Sequence, residues 1–279
     1  DKTGTTSGSK VLFTDLKPGT YQISEIVADT YEPQATKTVT VVSGQTAKVA
    51  FSNVLKKGDL TVTKSAEDGL EEGTRFRLHG ITDCGLEINE YATVGSNGKA
   101  YFYDIPIGSR LTLEEVDVPD RYVCPDELFV TIRWNEVTEV SVRNILKKWR
   151  AEVYKTDREL SVLGEEAYGK AQGDASLRSA VYGLYADGVL MNAYATDENG
   201  YFQTDYYPCA VNGNDVEYYL KELGSSEGYQ LDPTKYIIDT AGEHYTVERN
   251  TAYVRVYEEV VKGKISLIKH ADDGSTQIE

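Results

Sequence analysis

The sequence predicts an all-β chain made of tandem antiparallel β-sandwich domains, and three observations carry that expectation. Val, Thr and Tyr are plentiful, with 21 Tyr against 6 Phe, and such residues suit a pleated, half-buried surface. Apolar and polar residues alternate over short runs separated by turn signals, and no long segment follows the 3.6-residue period of a helix. The runs also recur at long intervals, which marks a repeat array.

The repeat is defined by three stretches, Val49–Gly58, Val140–Trp149 and Val254–Gly263, each followed by a fresh alternating run: Leu60–Lys64, Ala151–Lys155 and Ile265–Lys269. The spacing from one polar residue to the next Lys is 11 in every case, Asn53 to Lys64, Asn144 to Lys155 and Glu258 to Lys269. Lys64 and Lys155 stand 91 residues apart, and Lys155 and Lys269 stand 114 apart. The third unit therefore holds an insertion, placed at Ser161–Leu177, where Gly164, Gly169 and Gly173 favour loop over helix. A second shared element (Pro18–Glu25, Gly108–Glu115, Glu217–Glu222) precedes an aromatic anchor at Tyr31, Tyr122 and Tyr229. Ser96-Asn97-Gly98 and Glu198-Asn199-Gly200 read as hairpin loops. The expected division is a truncated repeat (1–57), a complete repeat (58–147), a repeat with an insertion (148–262) and the first strand of a further repeat (263–279). Linkers this short predict a stiff array.

Residues i, i+2 and i+4 of a strand share a face. Leu60, Val62 and Lys64 therefore align, as do Leu111, Leu113 and Glu115, and Val140, Val142 and Asn144. Tyr21, Ile23 and Glu25 repeat the pattern, with Val49, Phe51 and Asn53, Val153 and Lys155, and Ile265, Leu267 and Lys269. One polar residue closing an apolar series usually reaches solvent at a strand end; recurrence at fixed spacing points inward instead. Burial disfavours the charged forms of Lys and Glu. A neutral amine is a nucleophile, and a protonated carboxylic acid beside it can polarise a carboxamide and pass a proton to the leaving group. Lys, Glu and Asn buried together can thus condense into an amide with release of ammonia.

The net charge of −16 and pI near 4.7 argue against nucleic-acid partners and anionic membrane surfaces. No apolar run is long enough to cross a bilayer, so no membrane insertion is expected in this segment. With no secretion signal at the start and no sorting motif at the end, the chain reads as an internal piece of something longer. Cys84, Cys124 and Cys209 cannot make a disulfide framework, and pairing of Cys84 with Cys124 is not expected. His79, His244 and His270 fall in unrelated positions, and Asp197–Gly200 is too short for a calcium loop. No metal site, cofactor or external substrate is expected, and paired carboxylates of a glycosidase are no more than this acidic composition supplies.

The ordered set of motifs resembles the Cna protein B-type domains, also called SpaA-type or prealbumin-like repeats, of Gram-positive surface adhesins and pilins. The middle unit supplies Lys64, Leu70–Phe76, Glu115, Val118–Tyr122 and Asn144, and the third supplies Thr196–Phe202 and Glu222. The resemblance implies a Lys64–Asn144 isopeptide with Glu115 as proton shuttle. It assigns Glu25 and Asn53 to half of the same apparatus, whose Lys would precede residue 1. In the third unit Glu258 stands where Asn or Asp is expected, so Lys155, Glu222 and Glu258 are read as a degenerate site without an isopeptide; Asn250 is too far upstream to substitute. Lys269 is the other unpaired half, and strand addition of Ile265–Lys269 to a neighbouring molecule would bring it to Asn53. The implied protein is a structural stalk segment outside the cell, wall-anchored in its full-length parent, whose partners are neighbouring repeats. The competing reading is an adhesive module that holds a host protein or glycan through the insertion and Tyr201–Tyr207.

Overall fold

The computed structural model describes residues 1–269. They fall into two compact units, the first comprising Asp1–Ser65, Glu71–Asp117 and Pro125–Arg143, the second Ala66–Leu70, Val118–Cys124 and the chain from Asn144 onward.

The first unit opens with an antiparallel pair, β1 (Gly19–Ile23) and β2 (Lys37–Val41). Seven strands follow: β3 (Lys57–Ala66), β4 (Arg75–Ile81), β5 (Glu87–Thr93), β6 (Lys99–Pro106), β7 (Gly108–Val116), β8 (Leu128–Ile132) and β9 (Val137–Asn144). They form a sheet ordered β6-β3-β9 and a sheet ordered β5-β4-β7-β8. Alternation delivers Leu60 and Val62 from β3, Phe76 and Leu78 from β4, Leu111 and Leu113 from β7 and Val142 from β9 to one core.

In the second unit the strands are β10 (Lys148–Asp157), β11 (Val181–Ala186), β12 (Val189–Ala195), β13 (Tyr201–Gln203), β14 (Tyr207–Pro208), β15 (Ala210–Val211), β16 (Asn214–Asp215), β17 (Tyr218–Gly224), β18 (Lys235–Ile238) and β19 (Arg249–Glu258). One sheet is ordered β12-β11-β17-β18, and the other is built on β10, with β13, β14 and β19 as its partners. The strand plan of the first unit thus recurs. This core is aromatic: Trp149 packs edge-on to Tyr218 at 4.9 Å, and Tyr182 stacks on Phe202 at 5.5 Å. That use of buried rings accounts for part of the Tyr excess, and each buried hydroxyl needs a partner.

The all-β sandwich expectation holds, with differences in detail. The sandwich is not antiparallel throughout, because β10 and β19, the first and last strands, run parallel from Lys148↔Arg249 to Asp157↔Glu258. The Asn-Gly turns are not hairpin loops, because β5 and β6 on either side of Gly98, and β12 and β13 on either side of Gly200, belong to different sheets. Two-residue hairpins occur at Asp187-Gly188 and Asn212-Gly213, where both residues have positive φ as a primed turn requires. The insertion contains 3₁₀ turns over Leu160–Ala167, broken at Gly164. Ile265–Lys269 carries no strand assignment, and Ile265 and Leu267 are 91% and 92% exposed; a strand exists only with a partner to bond. His270 lies outside the described residues.

Candidate isopeptide sites

Lys64 is the eighth residue of β3, the central strand of its sheet, and strand periodicity turns it inward behind Leu60 and Val62. Its Nζ lies 3.3 Å from Glu115 Oε2, with side-chain exposures of 0% and 1%. Glu115 sits on β7 opposite Phe76, a core residue of β4. Glu114 points to the other face, where its Oε1 accepts from Arg77 at 2.9 Å and lies 3.4 Å from His79 Nε2. Asn144 is buried and ends β9, the neighbour of β3. In the N-terminal part Asn53 Nδ2 donates to Glu25 Oε1 at 3.1 Å, so these two halves also meet.

The third-repeat residues converge more tightly. Lys155 Nζ is 3.4 Å from Glu222 Oε1 and 3.4 Å from Glu258 Oε2, and all three side chains are fully buried. The Tyr182 hydroxyl donates to Glu258 Oε1 at 2.5 Å. The Asp232 N–H donates to Glu222 Oε2 at 2.6 Å. Burial pushes the Glu258 carboxyl above its ordinary range, outweighing the Tyr182 hydrogen bond and the Lys155 charge, with Glu222 adding to the rise. Burial likewise drives the Tyr182 phenol upward, and the adjacent Glu258 reinforces it. Asn250 is engaged elsewhere, donating to Lys148 O and Val247 O.

Several positioning groups were not singled out from the sequence. The backbone N–H of Lys64 donates to Gly98 O and that of Lys155 to Gly200 O, each at 2.8 Å. The two Asn-Gly turns therefore hold Lys64 and Lys155 in place. A Cβ at Gly200 would lie 2.7 Å from Lys155 O, whereas one at Gly98 would lie 3.4 Å from Lys64 O. Both glycines have positive φ, so Gly98→Ala is expected to cost about 1–2 kcal/mol of conformational strain. Gly200→Ala should cost visibly more because it adds a backbone clash. Urea denaturation of the two variants checks that order, and equal losses would remove the clash from the account.

The aromatic anchors behave alike in all three repeats. Tyr31, Tyr122 and Tyr229 form isolated bridges with Leu55, Leu146 and Val260, each two residues past the Asn or Glu position. Flanking amides repeat the pattern, as in Lys56 N–H to Thr30 O, Lys147 N–H to Arg121 O and Val261 N–H to Gly228 O. The Tyr122 hydroxyl donates to Asp68 at 2.5 Å and the Tyr229 hydroxyl to Asp157 at 2.8 Å. Burial works to raise Asp68, but the bonds from Tyr122 and Arg121 prevail and hold it below its ordinary value. Burial and the bond to Asp68 push Tyr122 up to about 12. Asp157 is also held low, by Gln172, by the Leu160 and Glu159 N–H groups and by Tyr229, against its own burial.

Of the tyrosines in Tyr201–Tyr207, Tyr201 packs in a tilted arrangement against Tyr154 and Tyr207 shares a hydrogen bond with Tyr194, while Tyr206 lies under Arg150 and Arg249. Cys84 and Cys209 are free thiols. Among the described residues no helix is long and apolar enough to cross a membrane.

No protein-family model and no curated protein matches the sequence. Solved structures do match. The chain is similar to the Bacillus anthracis TIE protein, with a TM-score of 0.55 and 16% identity over 88% of this chain and 44% of that one. It therefore spans less than half the length of that protein. It is also similar to a C-terminal fragment of the pilus adhesin SpaC from Lactobacillus rhamnosus GG (TM-score 0.45, 11% identity, 76% of this chain and 100% of that one). The full-length major pilin SpaD from Corynebacterium diphtheriae matches with TM-score 0.28 and 13% identity, over 74% of this chain and 98% of that one. The likeness to the TIE protein shows the fold; the others, with lower TM-scores, add nothing to it.

Proposed function

We propose that the chain is a structural stalk segment of a bacterial surface adhesin or pilin, working outside the cell beside neighbouring repeats of the same polypeptide. In this reading residues 1–57, 58–147, 148–262 and 263–279 are successive repeats or parts of repeats, and the complete one closes on itself through a Lys64–Asn144 amide. The observation that carries it is the Lys64–Glu115 pair, 3.3 Å apart and sealed from water, on a strand whose neighbour ends in buried Asn144.

Glu115 takes a proton from Lys64, leaving a neutral amine. Lys64 Nζ attacks Asn144 Cγ, Glu115 returns the proton to Asn144 Nδ2, ammonia leaves as the Nζ–Cγ amide forms, and the second proton shed by Nζ stays on Glu115, which ends neutral. The chemistry is directed at the protein itself and turns over no external substrate. Replacing a buried ion pair by a neutral amide also removes charges that are expensive to keep out of water.

Intact mass of the denatured chain and a tryptic map test the proposal. The expected result includes loss of one ammonia, with Gly58–Arg75 joined to Asn144–Lys147 as a branched peptide. Recovery of both peptides as unshifted linear species would overturn it. Glu115→Gln should leave them linear while the fold persists.

A further inference from the structure

We propose that Lys155 and Glu258 condense into an amide with loss of one water, Glu222 carrying the proton. This extends the reading above to a second pair, of different chemistry, and is read on different peptides.

Three features of the geometry support it. The parallel register sets Lys155 opposite Val256, so Glu258 lies two residues on and on the same face as that core residue. The carboxyl then reaches the amine, with Glu258 Oε2 3.4 Å from Lys155 Nζ. Second, the two oxygens of Glu258 are held differently. Oε1 accepts the Tyr182 hydroxyl at 2.5 Å, whereas Oε2 makes no hydrogen bond among the described residues and faces the amine. Third, Glu222 is fixed through Oε2 by the Asp232 N–H, which leaves its Oε1 3.4 Å from the same amine.

These contacts assign the steps. Glu222 accepts a proton from the Lys155 ammonium, and the neutral amine attacks Cδ of the protonated Glu258 carboxyl. Tyr182 donates its hydrogen bond to Oε1 as negative charge gathers there, the role of an oxyanion donor. The attacking nitrogen gives its second proton to the Oε2 hydroxyl, Oε2 departs as water, the Nζ–Cδ amide remains and Glu222 keeps the first proton. No oxidant, metal or cofactor enters the balance. The upward push on Glu258 by burial favours the protonated acid that the attack requires. Full burial of the three side chains excludes the water that would favour hydrolysis.

A tryptic map of the full-length chain decides the matter without relying on any variant to fold. Trypsin does not cut at an acylated Lys, so Ala151–Arg158 should appear joined to Val256–Lys262, lighter than their sum by one water. Fragmentation should assign the branch to Lys155 and Glu258 rather than exposed Glu259. Glu222→Gln, which keeps the volume, should return linear peptides. Recovery of Ala151–Lys155 and unshifted Val256–Lys262 from the native protein would overturn the proposal. Loss of ammonia alone would sink it and spare Lys64–Asn144; loss of water alone would do the reverse.

Discussion

Lys64→Ala is expected to lower the stability of the complete repeat by about 4–5 kcal/mol, the loop-closure contribution of a cross-link over a loop of this length taken by analogy with disulfides. Lys64 and Asn144 are 80 residues apart, so the proposed bond would withhold a large set of conformations from the unfolded chain. The substitution also strands Glu115 in a dry site, which adds to the loss. For a domain of this size the thermal midpoint should fall by roughly 20 °C or more. Glu115→Gln is the informative companion: it blocks the bond while leaving Lys64 and Asn144 in place, so its loss should approach that of Lys64→Ala. Calorimetry reads both. Midpoints within a few degrees of the parent for either variant would mean that no covalent tie spans the repeat.

The arrangement also says where tension travels. Strands β10 and β19 are parallel neighbours, so the chain enters this ladder at the Lys148 end and leaves past Glu258, at the opposite pole. Tension then shears the whole β10–β19 ladder at once. A bond between the far end of the first strand and the end of the last lets tension cross after a few residues, bypassing everything between. Strand order also places β9 beside β3, and an amide does not yield to reductants as a disulfide does. Such a device suits a stalk that holds something away from a cell.

How much of this could be read from the sequence depends on the range of the interaction. Lys64, Glu115 and Asn144 were legible because a strand's two-residue period and an 11-residue spacing are local signals, and together they force three polar side chains inward. The choice of Glu115 over Glu114 followed from parity alone. The Tyr122 and Tyr229 anchors were visible by recurrence, but their Asp68 and Asp157 partners were not, since those bonds span 54 and 72 residues. Tyr182 was missed because its role depends on a contact 76 residues away in sequence, reaching Glu258 from another strand. The Asn-Gly turns misled for a related reason. Glycine permits the reversal, but which sheet receives the next strand is settled by core packing. Parallel pairing of β10 with β19 has no local signature at all.

Lys155→Met should be the most damaging change in the third repeat, and its pH dependence separates it from a simple packing defect. Glu222 and Glu258 would then face each other in a fully buried site, and removing one partner from such a cluster costs about 3–5 kcal/mol. The sign with pH follows from the direction of the shift. In the unreacted site Glu258 already sits above its ordinary value because of burial, with Lys155 among the groups holding it down, and once joined to Lys155 it does not titrate at all. Without Lys155 it rises further. A carboxyl raised in the folded state costs stability as pH climbs from its unfolded to its folded value, and that cost vanishes below the unfolded one. The deficit of Lys155→Met against the parent should therefore be greatest at neutral pH and shrink towards pH 5. The parent responds in the opposite sense at lower pH. Asp68, Asp157 and Asp232 are held low, so their stabilisation is present above roughly pH 4, near the unfolded value, and is lost as pH falls through their folded values. Urea midpoints for both proteins at pH 7 and pH 5 isolate the Lys155 term, because the depressed aspartates remain ionised throughout that window. A deficit that stays constant with pH would reduce Lys155 to a space-filling side chain. Partial recovery in Lys155→Met combined with Glu258→Gln would instead locate the cost in the paired carboxylates, as the two 3.4 Å contacts to Lys155 require.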